Sequence, residues 1–120
     1  MEFCERNSCV CGYHIYKDIW DAVIGEELLC ERQPDNRSDC YTVAVKKDGI
    51  IIGHLPRKIS RACSLFLRRG SEITCRVTGH RRYSANLPQG GLEVPCVLQF
   101  EGEAKEIAKL KKFVKPELPM

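Results

Sequence analysis

The sequence predicts an all-β domain: a small six-stranded β-barrel, closed or partly closed, with two short helices. Three observations carry that reading. Short apolar segments rich in β-branched and aromatic residues recur along the chain, separated by turn signals such as Pro34-Asp35-Asn36. Lys47-Asp48-Gly49 divides Tyr41–Val45 from Ile50–Ile52 with Asp-Gly, the commonest short hairpin signal. Helical periodicity is confined to two stretches, which is not the pattern of a βαβ sheet.

The first strand is expected at Cys9 to Tyr16, with Cys9, Cys11 and Tyr13 on one face and residues 1–8 as an N-terminal tail. A second runs from Glu27 to Gln33, entered after Gly25 and stopped by Pro34. Tyr41–Val45 and Ile50–Ile52 form the hairpin. Pro56 suits the first turn of a helix and Gly70 its C-terminal cap. Within that helix Ile59, Ala62, Cys63, Phe66 and Leu67 share one side, and Arg57, Arg61 and Arg68 share the other. Glu72–Thr78 and Val94–Phe100 are further strands, and His80 to Gly91 is a long polar loop. Residues 103–114 make the second helix, docking through Ala104, Ile107, Ala108 and Val114, with Lys109, Lys111 and Lys112 at the negative end of its dipole. The domain is thus expected over 9–114, with 115–120 as a C-terminal tail.

With 120 residues, there is room for one domain and one modest core. No apolar run approaches membrane-spanning length, and the first residues lack the basic and apolar regions of a secretory leader. An intracellular protein is expected, and its eight cysteines are then reduced, most of them buried as small hydrophobes. Net charge is +3 but unevenly placed: residues 1–35 hold eight acids and three bases, residues 36–83 eleven bases and three acids. The middle segment therefore carries +8 and suggests a basic surface facing a polyanion.

Catalytic signatures are missing. The chain holds no phosphate-binding P-loop, no Gly-x-Ser-x-Gly elbow and no His-Glu-x-x-His pair. Asp39 and His54 alone, with neither nucleophile nor metal, suit binding better than catalysis. Cys4, Cys9, Cys11 and His14 are possible zinc ligands within eleven residues, but no Cys-x2-Cys knuckle is present and Cys11 and His14 would face opposite sides of a strand. The cluster is read as incidental, and no metal or cofactor is expected. The basic groups offer more. Arg57, Lys58 and Arg61 open the first helix, and His80-Arg81-Arg82-Tyr83 puts cations and an aromatic in the long loop. Arginine neutralises phosphate, tyrosine stacks on bases, and a helix N-terminus presents N–H groups to an anion. The alternative for the Arg57/Arg61/Arg68 stripe is the wet side of an amphipathic helix. Asp39 would repel phosphate, but a carboxylate can accept a hydrogen bond from the free 3′-hydroxyl that only a strand end has; it could equally cap its own turn.

The order of motifs resembles the HIRAN domain family. Val10-Cys11-Gly12 fits the family's first strand, and Arg32-Gln33-Pro34-Asp35-Asn36-Arg37-Ser38-Asp39 fits the turn after its second. Thr42-Val43-Ala44-Val45 fits the next strand, and Gly49-Ile50-Ile51-Ile52-Gly53-His54-Leu55-Pro56-Arg57 fits the segment after it. The likeness runs from about Cys9 through Phe100. It implies an OB-like barrel that holds the 3′ end of single-stranded DNA, acts without catalysis alone, and serves DNA repair in the nucleus beside a larger helicase, translocase or nuclease. Asp39 would meet the terminal hydroxyl, and His54 and Arg57 the last phosphate. Arg61, His14, Tyr41, Arg81, Arg82 and Tyr83 would line the nucleic-acid path. The family's aromatics are replaced: His14-Ile15 stands for Arg-Tyr, Ser38 precedes the aspartate, and Leu92 takes a position where some members have phenylalanine. Each lost stack removes about 1–3 kcal/mol per base. The alternative is therefore a protein-interaction module that kept the HIRAN fold without end recognition.

Overall fold

The hairpin announced by Asp48-Gly49 is the plainest element. Both residues have positive φ, 52° and 81°, which is what a tight turn matched to strand twist requires. It joins β3 (Val43–Lys47) to β4 (Ile50–His54), with a register shift between Val45 and Lys46. In the computed structural model residues 1–12, 20–83 and 92–113 are described, apart from the side chains of Tyr83, Leu92 and Phe113. The remaining strands are β1 (Glu2–Val10), β2 (Glu27–Arg32), β5 (Glu72–Val77), β6 (Arg82–Tyr83) and β7 (Leu92–Gly102). The helices are α1 (Arg57–Arg68) and α2 (Ala104–Phe113).

All pairings are antiparallel, in the order β1-β7-β5-β2-β3-β4, with the two-residue β6 added to β7. Six strands and two helices were expected; β6 is a seventh, short strand inside the segment read as a loop. The sheet stays open rather than closing into a barrel. Its two margins, β1 and β4, meet among the described residues through one bridge, in which Cys11 and His54 exchange backbone hydrogen bonds of 2.7 and 3.0 Å.

Strand alternation builds the core. Leu28 and Cys30 of β2, and Ile73, Cys75 and Val77 of β5, point inward while their neighbours face solvent. Helix α1 covers this face with Ile59, Cys63 and Phe66, and Phe66 meets Phe100 of β7 edge to face at 5.8 Å. Gly70, at φ 88°, ends the helix, its N–H bonding to the Leu67 carbonyl at 3.0 Å. Cys30, Cys63, Cys75 and Cys96 are buried free thiols; burial pushes Cys63 up to about 12, so it stays protonated.

Two further expectations need correcting. The first strand begins earlier than alternation suggested: residues 2–8, read as a tail, pair with β7 along Glu2–Gly102 through Val10–Val94, while residues 13–16 of the expected strand lie outside the described residues. Charged and polar residues on an edge strand hid the signal, since Glu5 and Asn7 take the wet face while Cys4, Arg6 and Ser8 lie half-buried. Helix α2 docks through Ile107 and Leu110, with the Glu106 carboxylate buried against Arg69; Ala104 and Ala108 are exposed. Val114 lies outside the described residues.

Candidate nucleic-acid interface

The segment between β2 and β3 is folded by its own side chains. The Asn36 Oδ1 accepts the backbone N–H groups of Ser38 (2.9 Å) and Asp39 (3.3 Å). Asp39 repeats the device one step on, its Oδ1 accepting Tyr41 N–H at 2.9 Å and its carbonyl accepting Thr42 Oγ1 at 2.7 Å. Asp39 Oδ2 is left facing Arg57, whose Nε stands 3.8 Å away and whose Nη2 reaches the Ser38 carbonyl at 3.4 Å. The Asp39 side chain is 22% exposed and that of Arg57 79%. Capping the turn and facing outward are therefore two jobs of one carboxylate.

The Gly53-His54-Leu55-Pro56 corner supplies the opposite wall. A Cβ at Gly53 would run into the Val10 side chain and come within 2.9 Å of the Cys11 carbonyl, so only glycine lets β4 approach the end of β1. His54 follows, its backbone bridged to Cys11 and its Nε2 2.7 Å from Gln33 Oε1. Burial holds its pKa below the ordinary 6.5, so the ring is neutral near pH 7. Leu55 is buried and its N–H bonds to Val43 O at 3.0 Å, while Pro56 sits at the N-cap of α1.

Together Asn36, Ser38, Asp39, Thr42, His54, Leu55, Arg57 and Ser60 line a shallow pocket of about 220 Å³ at the start of α1. Beside it the Arg61 guanidinium lies 5.2 Å from the centroid of the Tyr41 ring, a cation–π pair. The pocket thus presents one carboxylate oxygen, one exposed guanidinium and a hydroxyl-rich floor, suited to an alcohol next to an anion.

The chain matches the HIRAN domain family over residues 7–98. It belongs to that family. Among solved structures it is similar to the crystal structure of the HIRAN domain of human HLTF, with a TM-score of 0.73 and 21% identity over 96% of this chain and 93% of that one. The NMR structure of the HLTF HIRAN domain aligns with a TM-score of 0.65 and 21% identity, covering 92% and 88%. A protein from Lactobacillus plantarum aligns at 0.57 and 16%, covering 84% and 100%. These likenesses establish the fold. The comparison with curated protein sequences finds no significant match.

Of the residues singled out in this HIRAN domain, the fold gathers Asp39, His54 and Arg57 in one pocket and sets Tyr41 and Arg61 beside it. Arg81 and Arg82 are exposed but do not line it. Arg82 is engaged elsewhere: its Nε bonds to Glu93 Oε1 at 3.0 Å. His14 lies outside the described residues, and Tyr83 is placed only as backbone of β6. The four suspected zinc ligands do not assemble as a set, because Cys4 packs toward the core on the other face of β1 from Cys9. Cys9 and Cys11 do meet, at 3.6 Å between sulfurs, and Cys9 Sγ donates to Glu93 Oε2 at 3.1 Å. The bond between the thiols and burial raise the Cys9 pKa, while the same bond lowers that of Cys11. Sequence reading missed Glu93 and Gln33; Glu93 lies 82 residues beyond Cys11, and only the β1–β7 register brings it near.

Proposed function

We propose that this HIRAN domain binds single-stranded DNA and reads its 3′ end, without catalysing a reaction by itself. The observation that carries the reading is the Asp39 carboxylate, fixed by its own turn and facing the exposed Arg57 across a solvent-open pocket. Asp39 Oδ2 accepts the terminal 3′-hydroxyl, and Arg57 with Lys58 at the start of α1 neutralises the last phosphate. His54, neutral and held by Gln33, positions the corner rather than supplying charge. Arg61 on Tyr41 offers a guanidinium plane to a base, and Arg81 extends the basic path. The domain would serve as the end-binding part of a larger DNA translocase or nuclease, in nuclear DNA repair.

A second reading is favoured by one observation: among the described residues the pocket lining contains no phenylalanine, tyrosine or tryptophan, and Ser38 stands where the family places an aromatic. On that reading the domain keeps the fold as a protein-interaction module. Fluorescence anisotropy separates the two, using labelled single-stranded DNA with a free 3′-hydroxyl, the same strand with a 3′-phosphate, and a blunt duplex, each at two salt concentrations. Preference for the free hydroxyl that vanishes in Asp39→Ala supports end reading. Equal, steeply salt-dependent binding of all three reduces it to a polyanion surface. Absence of binding to any DNA leaves the interaction module.

A further inference from the structure

Outside the pocket, the described residues contain one group of three ligand-type side chains whose donor atoms all lie within 4.8 Å: Cys9, Cys11 and Glu93. Cys9 is the penultimate residue of β1, on the face away from the core, and Cys11 follows at the Cys11–His54 bridge, so the two-residue spacing puts both sulfurs on one side. Glu93 comes from the start of β7, where Val10 pairs with Val94. We propose that these three side chains bind a zinc ion, with water in the fourth position.

The distances are close to those a tetrahedral ion needs. Zn–S bonds of about 2.3 Å and Zn–O bonds of about 2.1 Å place neighbouring sulfurs about 3.8 Å apart and a sulfur and oxygen about 3.6 Å apart. Here the sulfurs are 3.6 Å apart, and Cys9 Sγ is 3.1 Å from Glu93 Oε2. To admit the ion, the Cys9–Glu93 gap opens by about half an ångström, and Cys11 Sγ and the Glu93 carboxylate, which lie within 4.8 Å, settle near the same spacing. Two thiolates with one carboxylate suit a borderline-soft cation and disfavour magnesium or calcium, which prefer oxygen alone. The carboxylate is already aimed: Arg82 holds Glu93 Oε1 at 3.0 Å and leaves Oε2 toward the sulfurs, as outer partners of metal ligands do. The cysteines are half-buried, open enough for entry, whereas Cys75 and Cys96 are sealed in the core. Binding replaces the thiol protons, which pass to solvent, so affinity falls in acid. The ion would tie together the end of β1, the start of β7 and, through Arg82, β6.

The test uses the reduced, metal-free protein titrated with Co²⁺ as a spectroscopic probe and then with Zn²⁺. A thiolate-to-cobalt charge-transfer band should rise to one equivalent and be erased by Zn²⁺. It should vanish in the Cys9→Ser/Cys11→Ser double variant, persist in Cys40→Ser, and need about tenfold or more additional cobalt in Glu93→Gln. Absence of the band, or its survival in the double variant, overturns the proposal. Should the double variant fail to fold, alkylation of the wild-type protein decides: Zn²⁺ protecting Cys9 and Cys11 but not the exposed Cys40 supports the site, and equal labelling with and without Zn²⁺ rejects it.

Discussion

Two carboxylates sit at opposite ends of the β2–β3 pair, and their surroundings differ sharply. Glu26, just before β2, accepts Trp20 Nε1 at 2.8 Å and Val23 N–H at 3.0 Å on one oxygen, and Lys47 Nζ at 2.9 Å on the other. Although burial opposes the charge, those bonds hold its pKa below the usual carboxylate value. Asp39, at the far end, has among the described residues one close donor in Tyr41 N–H, and its other oxygen faces a long, exposed arginine at 3.8 Å. Both have a basic partner. Glu26 has spent its acceptor capacity on holding a loop to a hairpin; Asp39 has an oxygen to offer a ligand. Counting ion pairs would rank the two alike, whereas counting donors within hydrogen-bond reach separates a fully engaged carboxylate from one with acceptor capacity left.

The largest effect that would test this contrast is on stability. Glu26→Ala removes three hydrogen bonds together and should cost about 2–3 kcal/mol in urea unfolding, while DNA affinity measured on the folded protein is unchanged. A fall in affinity equal to that of a pocket variant would break the distinction. Next comes Arg57→Ala, which should weaken single-stranded DNA by about 1.5–2 kcal/mol and flatten the salt dependence. Because that side chain is mostly exposed, its melting curve should shift by no more than about 0.5 kcal/mol. Asp39→Ala should abolish the preference for a free 3′-hydroxyl over a 3′-phosphate, about 1 kcal/mol. Asp39→Asn retains an acceptor for Tyr41 N–H, so a comparison of the two variants in unfolding experiments isolates the turn. The smallest effect concerns His54. Its folded pKa lies below 6.5, so the unfolded chain takes up the proton first as pH falls, and stability should decline from about pH 7 downward through the ordinary histidine range. His54→Asn should remove that part of the pH profile, as followed by thermal unfolding between neutral and mildly acidic pH.

Much of the site was legible because it is local. Asn36, Asp39 and Thr42 fold one turn through short-range side-chain bonds, and Gly53 through Arg57 form one corner, so contiguous motifs carried both walls. Their meeting across the pocket is long-range, and the family resemblance supplied it. The hairpin and the apolar side of α1 were plain for the same reason, each having a local period. What escaped was set by pairing between distant strands. The position of β1 depends on β7, since a half-wet edge strand shows little alternation of its own. Glu93 looks like an ordinary surface acid until that register seats it against Cys9 and Arg82. Helix α2 misled differently: its alanines fit the apolar stripe by period, but Ile107 and Leu110 bury more surface and set its rotation.

The pairing of β1 with β7 also sets an order in time. Partners along this ladder are separated by 84 residues at Val10–Val94 and by 100 at Glu2–Gly102. During synthesis the first strand leaves the ribosome before β7, its only strand partner along that ladder, has been made, while the β3–β4 hairpin can form as soon as it emerges. For that interval Phe3, Cys4, Cys9 and Val10 belong to a solvated, unpaired segment. Strand β1 is thus translated well before its partner and is among the last to be fixed, so stalled or shortened chains ending before β7 would expose it to chaperones and proteases.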